Sequence, residues 1–370
     1  MRYYFDHNAT TPVSPEVLEA MVPCFAQTFG NASSIHRDGQ IARQKLETAR
    51  RQIAVFLGCG PKAIVFTSGG TESDNLAVLG AGSGHVITTA IEHPAVLSAC
   101  EQMDATVVPV GGDGLVSPDD IRRAIRPGTV LISVMHANNE LGTVQPVAEI
   151  ARIAREAGVL MHSDGVQAAG KIAVNVEELA VDLYSISGHK LNAPKGVGAL
   201  YVREGVRISA RSFGGRHERE RRAGTENVPG AVALGAAAEL SRPDYAPLRD
   251  RLERGILERV THVRVNGAGS LRVPNTSNIT FEGIEGESLV IALDIRGFSV
   301  SSGSACSSGA VEPSHVLTAI GMSREQAKST LRFSLGLGND AAQVDLLIGA
   351  VAGACAHLRK LSPSKLCQTL

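Results

Sequence analysis

The sequence predicts an α/β fold built on a mostly parallel sheet, with a smaller α+β domain beside it. Two observations lead to this prediction: short apolar runs alternate with helical segments from about residue 60 to 240, and the alternation stops at a proline-bearing link near residues 241–247. Apolar runs separated by helices are typical of parallel strands covered on both faces. We therefore expect a large domain at residues 13–243 and a small domain formed by residues 1–12 and 244–370.

The elements of the large domain follow from local signals. Strands are predicted at residues 63–67, 85–90, 106–110, 130–135, 159–163 and 181–187, and helices from residues 72, 118 and 147. Ser117 can accept a backbone N–H as the N-cap of the second helix, and Pro146 suits the start of the third. Beyond the link we expect helices at 248–260, at 287–294 and from 340, and strands near 263, 279 and 329–334.

Composition narrows the class of protein. The 370 residues carry 36 basic and 37 acidic side chains, and this balance gives no reason to expect a nucleic-acid partner. The amino terminus has no apolar signal core, and the longest apolar run near the other end is far shorter than the roughly 20 residues of a membrane helix. The six cysteines show no metal-ligand spacing. We expect a cytoplasmic protein with neither a metal site nor a membrane contact.

Polar groups follow two of the predicted strands, where ligands bind in open α/β sheets. After strand 63–67, the amides of Gly70 and Thr71 and the Thr71 hydroxyl could hold a phosphate at the positive end of a helix. An ordinary turn with a capping threonine fits equally well. After strand 159–163, Asp164 could keep a pyridine nitrogen protonated and Gln167 could reach a ring hydroxyl. The alternative is that Asp164 is the N-cap of a following helix.

Lys190 follows the apolar run at 181–187, one helix-strand unit after Asp164. A lysine beside a buried strand end is costly unless its charge is paired or neutralised. A Schiff base to an aldehyde cofactor would relieve that cost, whereas the alternative is a lysine whose ammonium reaches solvent. A phosphate site, an acid and a lysine in this order indicate a binding site for pyridoxal 5′-phosphate.

Several motifs extend this pattern over about residues 3–340. They are Phe5–Pro12, Asn31–Ser34, Ser163–Gln167, Ser187–Lys190, Pro194–Val202, Arg222–Asn227 and Ser301–Ser307. Together they resemble the class V aminotransferase family, and within it the cysteine desulfurases of nitrogen fixation and general iron–sulfur cluster assembly. The resemblance implies a fold type I pyridoxal-phosphate enzyme, similar to aspartate aminotransferase, that acts on L-cysteine.

The resemblance also implies roles for individual residues. His93 would stack on the pyridoxal ring and assist proton transfer, and Asn139 would bind near the ring hydroxyl with Gln167. Ser187 and His189 would join Gly70 and Thr71 at the phosphate.

Two further implied roles concern the partner subunit and the substrate. Thr225 would reach the phosphate of the other subunit, which implies a homodimer with shared sites. Arg332 would bind the substrate carboxylate, for which its planar fork of donors is suited.

Cys306 distinguishes among the possible reactions. Most free cysteines are small buried hydrophobes, which is our interpretation of Cys24, Cys59, Cys100 and Cys355. Cys306 instead lies in a glycine- and serine-rich stretch, where a thiol can be exposed and ionise.

Our hypothesis is that Lys190 exchanges its Schiff base for the amine of L-cysteine and then shuttles the α-proton. The Cys306 thiolate takes the sulfur as a persulfide, L-alanine leaves, and the sulfur passes to an acceptor or scaffold protein. The alternatives are a pyridoxal-dependent aminotransferase or lyase that does not use Cys306, a selenocysteine lyase, and a catalytically idle partner subunit.

Overall fold

Helices and strands alternate along most of the chain. The computed structural model describes residues 1–302 and 312–361. The helices are α1 (Pro15–Met21), α2 (Pro23–Ala26), α3 (Arg37–Leu57), α4 (Gly70–Gly80), α5 (Pro94–Cys100), α6 (Pro118–Ala124), α7 (Val147–Glu156), α8 (Val228–Ala238), α9 (Ala246–Arg259), α10 (Gly286–Ile295), α11 (His315–Ala319), α12 (Arg324–Lys328) and α13 (Ala341–Leu361). The strands are β1 (Tyr3–Tyr4), β2 (Ile64–Thr67), β3 (His85–Thr89), β4 (Asp104–Val108), β5 (Thr129–Ser133), β6 (Leu160–Asp164), β7 (Leu183–Ser187), β8 (Gly198–Val202), β9 (Val263–Val265), β10 (Thr276–Phe281), β11 (Phe298–Ser299), β12 (Ser301–Ser302) and β13 (Thr330–Ser334).

A seven-stranded sheet has the order β2-β8-β7-β6-β5-β3-β4. All neighbouring pairs are parallel except those of β8, which is antiparallel to both β2 and β7. The prediction of an α/β fold with a mostly parallel sheet is therefore confirmed. The parallel strands end at one edge of the sheet, and this edge carries the site described below.

Most predicted elements are found within one or two residues of their expected bounds. Ser117 is the N-cap of α6, and its side chain accepts a hydrogen bond from the Asp120 amide. The strand predicted at 106–110 was placed two residues too late, since β4 begins at Asp104 and ends at Val108. It is the edge strand and is largely exposed, so its bounds do not coincide with the apolar run. The helix expected from Glu72 begins two residues earlier, at Gly70.

Helices α3 and α8 pack closely on one face of this sheet. Buried α3 residues recur at helical spacing, as in Ala42, Leu46, Ala49 and Ile53. A β-carbon added to Gly235 of α8 would lie 2.8 Å from the Ala49 Cα. The small residues of α8 are what allow the two helices to approach this closely.

A second, four-stranded sheet has the order β12-β13-β10-β9 and is antiparallel. Its core includes Phe281 and Phe333 and is separate from the cores on the two faces of the large sheet. The amino-terminal segment joins this core, because β1 pairs with β11 and Phe5 is fully buried there. The boundaries at residues 12/13 and 243/244 stay predictions.

Helix α13 is the one helix in the described ranges that is long and apolar enough to cross a membrane by length and composition. Its residues Val344, Leu347, Ile348 and Val351 are buried in the core of the small sheet. The helix also packs against α9 and α10. Its apolar character therefore has a structural explanation within this fold.

Candidate active site

A cavity opens at the carboxyl ends of the parallel strands. Its lining includes most of the residues singled out from the sequence, namely Gly70, Thr71, His93, Asn139, Asp164, Gln167, Ser187, His189 and Lys190. The last residues of β6 and β7, and the segments that follow β2, β3, β5, β6 and β7, supply these residues. The fold thus brings the two predicted strand-end clusters and Lys190 into one site.

The remaining lining residues are Asp74, Met135 and Val166, which the sequence analysis missed. Asp74 lies one helical turn after Gly70 on α4, and this spacing could have placed it on the same side of the helix. Met135 and Val166 are apolar residues in apolar or turn segments, and no local pattern marks them as site residues.

The amino end of α4 forms a cradle for an anion. The first amides of a helix have no partner within the helix, and the positive end of the helix dipole attracts negative charge. A β-carbon on Gly70 would lie 2.9 Å from Val166 Cγ2 and 3.9 Å from Ser187 Oγ. Glycine therefore keeps this space open beside a hydroxyl group, and the arrangement fits a phosphate.

Asp164 ends β6 and is 6% exposed. Its Oδ1 accepts the Val166 amide at 2.9 Å, so the carboxylate caps a turn and not a helix. Burial raises the pKa of Asp164, and the charge of His93, the Val166 amide and the charge of Lys190 oppose this rise. Within the described residues, Oδ2 accepts no hydrogen bond. A cationic nitrogen in the cavity would relieve the cost of burying this acid.

Lys190 lies in the 3₁₀ turn Gly188–Lys190 that follows β7. Its Nζ donates hydrogen bonds to the carbonyl oxygens of Asn8 and Ala9, the second at 2.6 Å. Burial, together with the charge of Arg332, lowers the pKa of Lys190 to about 8, against the opposing charges of Asp6 and Asp164. A neutral, nucleophilic amine is therefore accessible near physiological pH.

Two histidines flank this lysine. His93 is the N-cap of α5, and its Nδ1 accepts the Ala95 amide at 3.1 Å, which leaves the proton of the neutral ring on Nε2. Burial lowers the pKa of His93. His189 holds the amino-terminal segment, since its backbone oxygen accepts the Thr11 amide at 2.8 Å. Burial lowers the pKa of His189 to about 4.

Arg332 on β13 lies beside the cavity and does not line it. Its guanidinium donates to Asp6 Oδ1 at 2.8 Å and to the Asn139 carbonyl at 3.1 Å. The side chain is 9% exposed, and its Nε is buried without a hydrogen-bond partner in the described structure. Asp6 and the Asn139 carbonyl therefore hold the arginine next to a cavity-lining residue.

Thr225, another predicted site residue, is not among the residues that line this cavity. Thr225 is exposed and lines a different cavity together with Ser68 and Arg222. Arg222 in turn donates to Glu72 in the first turn of α4 at 2.8 Å. Cys306 lies outside the residues that the structure describes.

The four cysteines that were predicted to be buried differ in their exposure to solvent. Cys24, Cys100 and Cys355 are buried, as expected. The interpretation was wrong for Cys59, which is only partly buried and lines a surface cavity. Burial and the charge of Glu177 raise the pKa of Cys59 to about 12, so this thiol stays protonated at neutral pH.

A buried polar network lies behind Asp164. His162 on β6 bonds to Ser133 Oγ through Nδ1 at 2.8 Å and to Ser185 Oγ through Nε2 at 3.0 Å. Asp74 Oδ1 lies 3.7 Å from His162 Nε2. Burial lowers the pKa of His162 to about 3, while burial and the charge of Asp164 raise that of Asp74. The histidine is therefore neutral at physiological pH.

This neutral histidine predicts an acid-sensitive fold. Between pH 6.5 and about 3 the unfolded chain binds a proton at His162 that the folded protein does not bind, so unfolding becomes easier as the pH falls. His162→Gln removes this difference. When the pH is lowered from 6.5 to 5, the free energy of unfolding of His162→Gln should fall by about 2 kcal/mol less than that of wild type. Urea unfolding at stepped pH measures this, with the exposed His357→Gln as the matched control. Equal pH slopes in wild type and His162→Gln would contradict the prediction.

Comparison with known proteins defines the class. Residues 3–347 match the family Aminotransferase class-V. The chain belongs to the class-V aminotransferase family, whose cofactor is pyridoxal 5′-phosphate. The open cradle at Gly70, the buried acid at Asp164 and the amine of Lys190 fit the phosphate, the ring nitrogen and the aldehyde of this cofactor, respectively.

Within the family, the chain is similar to cysteine desulfurases. It is 47% identical to the cysteine desulfurase of Gluconacetobacter diazotrophicus, over 97% of this chain and 95% of the relative. It is 46% identical to the cysteine desulfurase IscS of Methanosarcina thermophila, over 97% and 93%.

Solved structures agree with these relatives. A NifS-like protein superposes with a TM-score of 0.90 at 35% identity, covering 97% of this chain and 100% of that one. The structure of SspA in complex with cysteine superposes with a TM-score of 0.83 at 38% identity, covering 91% and 99%. The predicted fold type I architecture is thereby confirmed.

Proposed function

We propose that this protein is a cysteine desulfurase that converts L-cysteine to L-alanine and leaves the sulfur as a persulfide on Cys306. The observation that supports this most directly is the Lys190 amine, with its lowered pKa, in one cavity with Asp164 and the amino end of α4. Relatives that are 44–47% identical over nearly the whole chain, and that are named cysteine desulfurase, support the choice of substrate.

Lys190 is the residue proposed to bind the coenzyme through Nζ and then to move the proton of the substrate Cα. When bound, pyridoxal 5′-phosphate supplies an electron sink for the charge left on that carbon. A pKa of about 8 suits both tasks, because such an amine accepts and returns a proton near neutral pH. Asp164 keeps the coenzyme nitrogen protonated, and His93 packs on the ring and assists the proton transfer.

The remaining cavity residues are proposed to hold the coenzyme. Gly70, Thr71, Ser187 and His189 bind the phosphate, and Asn139 and Gln167 bind near the ring hydroxyl. The lining of the cavity supports this grouping. Arg332 binds the substrate carboxylate, and the contacts with Asp6 and the Asn139 carbonyl orient its guanidinium toward this task.

Cys306 is the proposed sulfur acceptor. Its thiolate attacks the sulfur of L-cysteine, the bond between that sulfur and Cβ breaks, and a proton is added to Cβ. The substrate sulfur is oxidised to the persulfide level while the carbon is reduced to the methyl group of alanine. The reaction therefore needs no external oxidant, and a thiol or an acceptor protein later removes the sulfur.

The assembly is proposed to be a cytoplasmic homodimer in which Thr225 reaches the coenzyme phosphate of the other subunit. Thr225 is exposed and lies outside the coenzyme cavity of its own chain, and this position supports the proposal. The acceptor is a sulfur-carrier or scaffold protein for iron–sulfur clusters or another sulfur-containing product. No direct nucleic-acid or membrane contact is proposed. The domain boundaries at 12/13 and 243/244 belong to the same proposal.

The test is the stoichiometry of products from L-cysteine in the presence of a reducing thiol. We expect equal amounts of L-alanine and sulfide, from protein that carries bound coenzyme. Pyruvate with ammonia would indicate a lyase, and consumption of an added keto acid would indicate an aminotransferase. Either result would contradict the proposed function.

A further inference from the structure

A second lysine, Lys171, lies close to Lys190. Its Nζ donates to Asn8 Oδ1 at 2.7 Å and also to Gln167 Oε1. In the described structure no carboxylate pairs with this partly buried group, although carbonyl oxygens alone rarely compensate an ammonium that is removed from water. Burial and the charges of Lys190 and Arg332 lower the pKa of Lys171 well below its ordinary value. An ordinary surface lysine would have none of these features.

Lys171 contributes to fixing which way two amide groups point. The Asn8 backbone carbonyl at Gln167 and the Asn275 amide at Asn8 Oδ1 favour the same orientations. The two ends of an amide side chain have the same shape and differ only in donating or accepting hydrogen bonds. A neutral Lys171 amine, which the lowered pKa favours, still has two hydrogens for its two acceptors. The oxygen of Gln167 therefore faces Lys171. Its Nε2 then points to the Asn8 carbonyl oxygen and donates to it at 3.0 Å.

The Asn8 amide is fixed in the same way and connects the two sheets. Its Oδ1 faces Lys171, while Nδ2 donates to the Asn139 carbonyl at 3.0 Å and to Thr276 Oγ1 at 2.8 Å. The Asn8 backbone oxygen also accepts a hydrogen bond from the Lys190 Nζ. Lys171 therefore supports a hydrogen-bonded connection between the coenzyme cavity and the small sheet.

We propose that Lys171 is a positioning residue of the coenzyme site, which holds Gln167 so that its NH₂ group, a donor, faces the coenzyme ring hydroxyl. Gln167 lines the cavity, and its oxygen is occupied by Lys171. One hydrogen of Nε2 is donated to the Asn8 carbonyl oxygen, so the second hydrogen is the one available to a ligand. This inference rests on the proposed function in one respect, since it assumes that the cavity binds the coenzyme.

The experiment measures coenzyme affinity in apoprotein, without L-cysteine. Pyridoxal 5′-phosphate is titrated into wild type, Lys171→Met, Gln167→Leu and the double variant, and so is its analogue that lacks the ring hydroxyl. Each single variant should weaken binding of pyridoxal 5′-phosphate about tenfold, which corresponds to about 1.4 kcal/mol. The double variant should lose no more than Gln167→Leu alone, and Lys171→Met should bind the analogue as wild type does. The exposed Lys62→Met is the matched control.

Three results would overturn the proposal. They are unchanged binding in Lys171→Met, losses that multiply in the double variant, and an equal loss for the analogue, which would indicate a general structural role. Circular dichroism shows whether Lys171→Met is folded. If it is not, Lys171→Leu, which also lacks a donor, is compared by the same criteria. Because no substrate is present, the outcome does not depend on whether the enzyme releases alanine.

Discussion

Replacing Lys190 by alanine is expected to reduce alanine release from L-cysteine at least about 10³-fold. The amine of Lys190 is the group in the cavity with a pKa of about 8, and its removal takes away both the attachment of the coenzyme and the base for the Cα proton. The measurement is alanine production at saturating coenzyme, together with coenzyme retention after dialysis. The Lys190→Ala variant should also lose its coenzyme during dialysis.

The matched control is Lys195→Ala. Lys195 is exposed and lies five residues further along the same segment, so its removal changes the local charge without touching the cavity. We expect wild-type alanine release from this variant. If Lys190→Ala kept more than about a tenth of the wild-type rate, Lys190 would not be the proton-transferring residue.

Replacing Cys306 by serine is expected to abolish sulfide release while leaving coenzyme binding unchanged. A serine hydroxyl is far less acidic than a thiol and does not form a persulfide, so the sulfur cannot be accepted. Sulfide release in the presence of a reducing thiol should fall at least about 10³-fold. The visible absorbance of the bound coenzyme should match that of wild type, because no predicted coenzyme contact is altered.

Cys59→Ser is the matched control for this substitution. Cys59 is a partly buried free thiol, and burial keeps its pKa near 12, so it does not supply a thiolate at neutral pH. We expect this variant to keep wild-type sulfide release. Full activity in Cys306→Ser, or its loss in Cys59→Ser, would contradict the assignment of the sulfur acceptor.

Much of the fold and part of the site could be predicted from local sequence. The run that ends before Lys190 forms the buried strand β7, and the turn after β2 leads into α4, since both signals lie within a few residues. Parallel strands then bring their carboxyl ends together, which is why Asp164 and Gly70 share one cavity. The bounds of β4 were wrong because an exposed edge strand does not follow an apolar run.

Lys171 and Asp6 were not singled out, because their contacts join distant parts of the chain. Lys171 donates to Asn8, and Asp6 accepts from Arg332, and the residues of each pair are more than 160 positions apart. No local periodicity marks such contacts. Thr225 is the converse case: the resemblance assigned it to the site, whereas it lies outside the cavity of its own chain, and its role stays a proposal.

The most direct test of the proposed reaction is to locate the sulfur after one turnover. Wild-type protein with bound coenzyme is mixed with L-cysteine in the absence of reductant, alkylated, digested and analysed by mass spectrometry, and alanine is measured in the same sample. We expect one additional sulfur atom on the peptide that contains Cys306 for each alanine released. Alanine without sulfur on that peptide, or sulfur on another cysteine, would contradict the account.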